Sequence, residues 1–292
     1  MVKRTVTGVI MAGLLFLIIW IAGLHQYATF VFDALVLCFG AIASYEIYGA
    51  VKRADFARAD GTVGYKISGI SLVIMVPATY IASYFFGYTG ILLAFVVSFV
   101  TAFCIFIFDS NKTFNDFAVN TFALVYPMVM LGPVFVMIHR YGMIPVLLAL
   151  GISTISDAMA YWVGILFGKK KIFPKISPKK TYAGCIGGLF GGALGGVIIY
   201  LIFELAGFPT YVKFTFSAIS RFPYLIYMLI GFILAFFSEI GDLAASRVKR
   251  SVGIKDYGKI LGSHGGILDR IDSILFTVVC MALIMGIVEV AL

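Results

Sequence analysis

The apolar positions of this chain fall in long unbroken runs, not in the alternation of a half-buried strand or the single apolar stripe of a soluble helix. Runs of roughly 18 residues or more are what a membrane-crossing helix needs. Nine windows qualify, at 6–24, 27–50, 67–86, 89–108, 117–138, 143–167, 183–206, 223–245 and 271–291. The first follows Lys3 and Arg4, as a secretory signal would. It is longer than the roughly 7–15 apolar residues of a signal peptide and no small-residue cleavage site follows, so it is expected to stay as a first helix.

Composition narrows the class. Of 292 residues, 62% are hydrophobic and 12% charged, against about 25% charged in a soluble domain, and the mean hydropathy is +1.05. Disorder and a collagen-like chain are excluded, and the unbroken runs argue against a β-barrel. Helices close their own backbone hydrogen bonds in lipid, so the expected fold is all-α, a multi-pass membrane helical bundle of about nine spans. Two regions follow: 1–140 with spans one to five, and 141–292 with the remaining spans and two polar loops, 168–182 and 246–272.

The formal charge of +8 points in such a chain to topology and anionic headgroups, not to nucleic acid. With nine spans, nineteen of the 22 Lys and Arg fall on the side of the N-terminus, leaving Arg140, Lys213 and Arg221 opposite. That bias predicts a cytoplasmic N-terminus and an external C-terminus in the inner membrane. Cys38, Cys104, Cys185 and Cys280 lie in apolar stretches without the spacing of a zinc site or redox pair and read as small hydrophobes. Span seven carries Gly184, Gly188, Gly192 and Gly196 in one four-residue register and Gly187, Gly191 and Gly195 in another, which predicts close helix packing, inside the bundle or between subunits. Tyr27, Tyr65, Tyr161 and Trp162 fit an interfacial belt.

Acids are the informative minority, because a carboxylate in hydrocarbon is kept when it is paired, protonated or functional. Glu46, Asp157, Glu239 and Asp242 fall in the cytoplasmic halves of spans two, six and eight, and Asp269 and Asp272 at the start of span nine. Asp33, Glu204 and Glu289 lie toward the other face. Glu239 and Asp242 are three residues apart, as are Asp269 and Asp272, so each pair shares a face if its helix runs through it. Grouped carboxylates beside many lysines suit a magnesium-bound polyphosphate, since magnesium takes one or two carboxylates plus phosphate oxygens. The structural alternative is ion pairing with Lys249, Arg250 or Arg270.

Between Ser246 and Asp272 stand Lys249, Arg250, Lys255, Asp256, Gly258, Lys259, Gly262, His264, Gly265, Gly266, Asp269 and Arg270. Glycine turns expose backbone N–H groups, and such groups just before a helix make an anion site. At these spacings the segment resembles the C-terminal signature of the phosphatidate cytidylyltransferases, or CDP-diacylglycerol synthases. A second stretch, with Asp157, Tyr161, Gly168, Lys169 and then Ser177, Pro178, Lys179, Lys180 and Thr181, resembles that family's other cytoplasmic segment. Two positions depart from it: Gly262 and Ser263 stand where Pro-Gly is common, and Ala183 where many members carry an acid.

The resemblance implies condensation of CTP with phosphatidic acid to CDP-diacylglycerol and pyrophosphate, at a cytoplasmic interface, with one or two divalent cations such as Mg2+ and as a homodimer. It assigns metal binding to Asp242, Asp269 and Asp272. Lys249, Arg250, Lys255, Lys259 and Arg270 become candidates for phosphate and departing pyrophosphate, with Asp242, Asp269, Lys249, Arg250 and Lys255 closest to the chemistry. Ser177, Lys179, Lys180 and Thr181 are placed for phosphatidate or nucleotide phosphates, and His264 with Gly265 and Gly266 for the loop's phosphate contacts, a structural role for His264 being equally compatible. A rival from another class is an ion-coupled transporter using buried carboxylates, although the acids gather at one face and trace no route across. A CDP-alcohol phosphotransferase is disfavoured, because Asp60 and Gly61 are followed by Thr62, Val63, Gly64 and Tyr65 and not by that class's motif.

Overall fold

The computed structural model describes residues 29–53, 69–110, 113–174, 176–262 and 265–291. Nine α-helices are described: α1 (Thr29–Arg53), α2 (Gly69–Phe86), α3 (Tyr88–Phe108), α4 (Phe114–Leu124), α5 (Pro133–Tyr141), α6 (Met143–Phe167), α7 (Tyr182–Ile199), α8 (Pro223–Ser251) and α9 (Leu268–Ala291). Every apolar window from 27–50 onward coincides with helix, while the 6–24 window lies outside the described residues. Among the described residues seven stretches are long and apolar enough to cross a membrane. The helix in the 67–86 window, α2, is not among those seven, so the structure supports a multi-pass helical membrane protein without reproducing the count of nine.

Three departures have local causes. The 117–138 window falls within one candidate span, Asp116–Tyr141, but its helix is irregular: α4 passes into a π-helical turn at Val125–Val129, and α5 starts afresh at Pro133. Pro127 lies inside that turn, and a proline with no N–H and a ring that displaces the preceding carbonyl unsettles the i→i−4 ladder. The polar segment 168–182 is not plain loop but holds an antiparallel hairpin, β1 (Lys171–Phe173) with β2 (Ser177–Thr181), pairing Lys171 with Thr181 and Phe173 with Ser177. The 246–272 segment is mostly helix at its ends. α8 runs on to Ser251 because Lys249 and Arg250 complement the helix C-terminus. It stops where Gly253, at φ +71°, turns the chain so that the Ile254 N–H reaches the Lys249 carbonyl at 2.9 Å.

The described residues form two compact units that alternate along the chain: one from the described part of Met1–Phe32 with Met137–Arg247 and Asp272–Leu292, the other from Asp33–Val136 and Val248–Ile271. In the first, α7 is drawn against two neighbours by its glycines. A Cβ at Gly187, Gly191 or Gly195 would run into Val163, Met159 or Ile155 of α6. One at Gly192 or Gly196 would meet the Gly231 or Tyr227 carbonyl of α8. The 187, 191 and 195 register packs on α6, while the other passes from α6 at Gly184 to α8 at Gly192 and Gly196, so both serve packing within one chain, and Ile186, Phe190, Leu194 and Ile198 stay exposed on the remaining face. Because the obstacle at Gly196 is backbone, Gly196→Val is expected to lower stability by about 1–3 kcal/mol, read as an earlier thermal transition of the detergent-solubilised protein; an unchanged transition would show that α7 and α8 do not approach this closely.

Two of the three acids expected away from the main group, Glu204 and Glu289, are absorbed locally in the same unit, and Asp33 accepts the Tyr80 hydroxyl at 3.4 Å in the second. Glu289 pairs with Arg140 and accepts the Tyr141 hydroxyl at 2.5 Å, and Glu204 accepts the hydroxyls of Tyr227 and Ser217. In the second unit, Thr113 and Asp116 form a capping box that starts α4. Phe117 of α4 packs among Phe99, Phe103 and Phe106 of α3 at centroid distances of 5.4–5.6 Å. Cys38, Cys104, Cys185 and Cys280 are free thiols.

Candidate active site

Each unit gathers part of the predicted chemistry. In the first, α8 continues through Glu239 and Asp242, so both acids point the same way. Lys180, near the end of β2, reaches both: its Nζ lies 2.6 Å from Glu239 Oε2 and 2.8 Å from Asp242 Oδ2. Burial works against the lysine's charge, but Asp242 and Glu239 outweigh it, holding its pKa above the ordinary lysine value. Lys180 is therefore a firmly protonated clamp on two carboxylates. Its neighbour Thr181 accepts the Gly184 N–H at 3.1 Å and caps α7, which anchors the clamp to the glycine-rich helix.

Around this clamp lies a polar layer contributed by four helices. Ser153 of α6 meets Ser238 of α8 at 3.1 Å and Ser273 of α9 at 3.0 Å. Ser273 in turn donates to Asp157 Oδ2 at 3.4 Å. Asp272 accepts the Ser273 N–H at 2.9 Å. Cys185 donates to Glu239 Oε2 at 3.6 Å, a contact that makes it more than the apolar filler its setting suggested. Glu239 Oε1 and Ser156 Oγ are buried without a hydrogen-bond partner among the described residues. Both border the space above Gly188, lying 2.9 and 3.1 Å from where a Cβ would be. Asp242 is the more open acid of the pair, its side chain 32% exposed against 9% for Glu239.

The second unit holds the loop chemistry. Lys249 Nζ lies 2.9 Å from Asp269 Oδ1 and 5.3 Å from the centre of the Tyr257 ring. The other oxygen, Asp269 Oδ2, accepts the N–H groups of Tyr257 at 2.8 Å and Gly266 at 3.0 Å. Gly265 stands at φ +83°, and a Cβ there would sit 3.1 Å from Asp269 Oδ2; only glycine adopts that turn at no steric cost. The next two N–H groups, of Ile267 and Leu268, donate to Glu46 Oε1 at 3.1 Å and Oε2 at 2.8 Å. Among the described residues, four of the donors expected to form an open anion cradle, the N–H groups of Tyr257, Gly266, Ile267 and Leu268, are therefore engaged by two carboxylates of the protein itself.

Of the predicted site residues, the structure brings Lys180 to Asp242 and Lys249 to Asp269, the ion-pair alternative being realised for Lys249. Arg250, Lys255 and Lys259 are exposed, with Arg250 also donating to the Ile254 carbonyl at 3.2 Å. Arg270 is exposed on the first turn of α9, and Lys179 and Ser177 lie on the hairpin. His264 lies outside the described residues. Among the described residues no three His, Cys, Asp or Glu side chains are grouped so as to hold a metal by themselves. Sequence reasoning gave no role to Ser153, Ser238 and Ser273, whose signal was weak because single serines are common in packed membrane helices. It placed Glu46 among the deep acids without a function, although an acid in an apolar span was signal enough.

The comparisons with known proteins agree with one another. Residues 2–288 match the model of a family described as the cytidylyltransferase family. A phosphatidate cytidylyltransferase of Bacillus subtilis is 30% identical over 283 residues, covering 94% of each chain. One from Helicobacter pylori is 29% identical over 291 residues, covering 99% of this chain and 93% of its own. One from Aquifex aeolicus is 35% identical over 171 residues, covering 59% and 58%.

Proposed function

The chain belongs to the cytidylyltransferase family, and we propose that it joins CTP to phosphatidic acid at the cytoplasmic face of the inner membrane, forming CDP-diacylglycerol and releasing pyrophosphate. The single observation that carries the site is Lys180 clamped between Glu239 and Asp242, since it holds acid and cation together at the polar edge of an apolar helix set. The family and its relatives lend no support to the transporter alternative.

In the reaction proposed, a phosphatidate oxygen attacks the α-phosphorus of CTP, a P–O bond forms, and the bond to the β-phosphate breaks, the electron pair leaving on pyrophosphate. The attacking monoester is already ionised, so no general base is required. What the site must supply is cancellation of repulsion between two anions. Exposed Arg250, Lys255 and Lys259 draw the nucleotide phosphates in. Lys249, held by Asp269 and the Tyr257 ring, offers a cation of set orientation. Lys180 keeps Glu239 and Asp242 from repelling each other as substrate approaches.

A divalent cation fits these residues in a limited way. The acids offer only hard oxygen donors, the Glu239 Oε1 atom is buried without a partner, and Asp242 is partly open, yet no all-protein cage exists among the described residues. That pattern suits a magnesium ion completed by substrate phosphates. Asp242 and Asp272 remain the ligands proposed in the first unit, and Asp269 the one proposed in the second, each unit taken by itself. When bound, the metal would neutralise phosphate charge. Self-association belongs to the same proposal, but the glycine rows of α7 do not supply its contact, since they pack on α6 and α8.

The test is labelled CTP with phosphatidic acid and the purified chain in mixed micelles. CDP-diacylglycerol and pyrophosphate are expected in equal amounts with Mg2+, and EDTA is expected to suppress turnover by about 100-fold or more. Turnover indifferent to EDTA would remove the metal. Ion flux in reconstituted vesicles without any CTP consumption would favour the transporter instead.

A further inference from the structure

We propose that Glu46 of α1 is a positioning residue for the transfer, holding Gly258, residues 265–268 and the first turn of α9 so that Lys249 and Asp269 stand where the nucleotide phosphates need them. The proposal rests on the cytidylyl-transfer reading above and adds to it a residue more than 200 positions away from the segment it holds.

Glu46 is 4% exposed, in the second half of a largely apolar helix whose other acid is Asp33. Its two oxygens accept the N–H groups of Ile267 and Leu268, the donors left without partners where α9 begins. A carboxylate there gains two charge-assisted bonds and the favourable end of the helix dipole. The turn is shaped around it: a Cβ at Gly258 or at Gly266 would overlap the Glu46 carboxylate. Glycines that look like phosphate-cradling glycines in the sequence are, in the fold, the clearance for an internal acid. One residue further on, Asp269 takes the N–H groups of Tyr257 and Gly266 and the Lys249 ammonium. Glu46 and Asp269 thus divide the donors of one turn between them, and the orientation of Asp269 depends on Glu46 keeping the first turn of α9 in place. It follows that the start of α9 is already filled by protein carboxylate, so substrate phosphate is held by side-chain cations and not by those backbone donors.

The experiment compares wild type with Glu46→Gln in full-length protein, by hydrogen exchange of residues 257–268 and by kinetics in each substrate. Glu46→Gln keeps the size but offers one acceptor oxygen in place of two. Exchange protection is expected to fall in 257–268 while α6 and α7 stay protected. The KM for CTP is expected to rise by about tenfold, with the KM for phosphatidate unchanged. A general folding defect would lower the active fraction and leave both KM values alone. Unchanged protection and kinetics in an active enzyme overturn the proposal. If Glu46→Gln does not fold, Gly258→Ala decides: its damage is expected to shrink in a Glu46→Asp background, where the carboxylate draws back, and additive damage overturns the proposal. A wild-type chain inert to CTP would instead fail the functional reading, while the exchange result would still decide whether Glu46 holds the turn.

Discussion

Asp269→Asn is expected to cost about 100-fold or more in CTP turnover and to lower stability at the same time. The double effect comes from how fully the carboxylate is engaged: one oxygen on Lys249, the other on two backbone N–H groups. An amide has one oxygen, so its NH2 must face either the ammonium or the N–H pair. Lys249, its side chain 11% exposed, then keeps its charge without the counter-ion. Removing one partner of a buried pair costs about 3–5 kcal/mol, whereas replacing both with apolar groups is often neutral. A second variant therefore separates the roles. Lys249→Met with Asp269→Leu is expected to recover much of the lost thermal stability and none of the turnover. Full activity in Asp269→Asn would end the assignment of Asp269 to the site, and recovery of activity in the double variant would reduce the pair to a structural one.

Lys180→Met is the second large effect. It strips the cation from Glu239 and Asp242. Like charges held this close in a poorly solvated setting repel strongly, so turnover is expected to fall by about 100-fold and the thermal transition to move down. Adding Glu239→Gln is expected to restore the transition, because it removes the excess negative charge, while turnover stays low. Lys180→Arg is expected to rescue only in part, since a planar guanidinium does not reproduce a point ammonium set between two acids. Wild-type turnover in Lys180→Met would show that the clamp has no part in the reaction.

The two predictions differ in what the sequence could foresee. The spacing of Glu239 and Asp242 announced a shared face, and α8 delivers it, because a three-residue interval on an uninterrupted helix leaves little freedom. No spacing announces Lys180 as their partner. It sits 59 residues before Glu239, on a hairpin that hydropathy reads as a polar gap. The same holds for Glu46, which meets the start of α9 from the other end of the chain, and for the serines that join α6, α8 and α9.

Membrane insertion, helical class and the boundaries of most spans were determined by the sequence alone, because lipid leaves an apolar segment one way to satisfy its backbone and that demand is local. The cytidylyltransferase family was equally legible, from the resemblance carried by the segments at 157–181 and 246–272. Which charge meets which was decided only by tertiary structure. Glycines 258 and 266 illustrate the reason: their residue type says that something comes close, but what comes close is Glu46, and contacts of that kind are fixed by the packing of distant helices and not by any local preference of the chain.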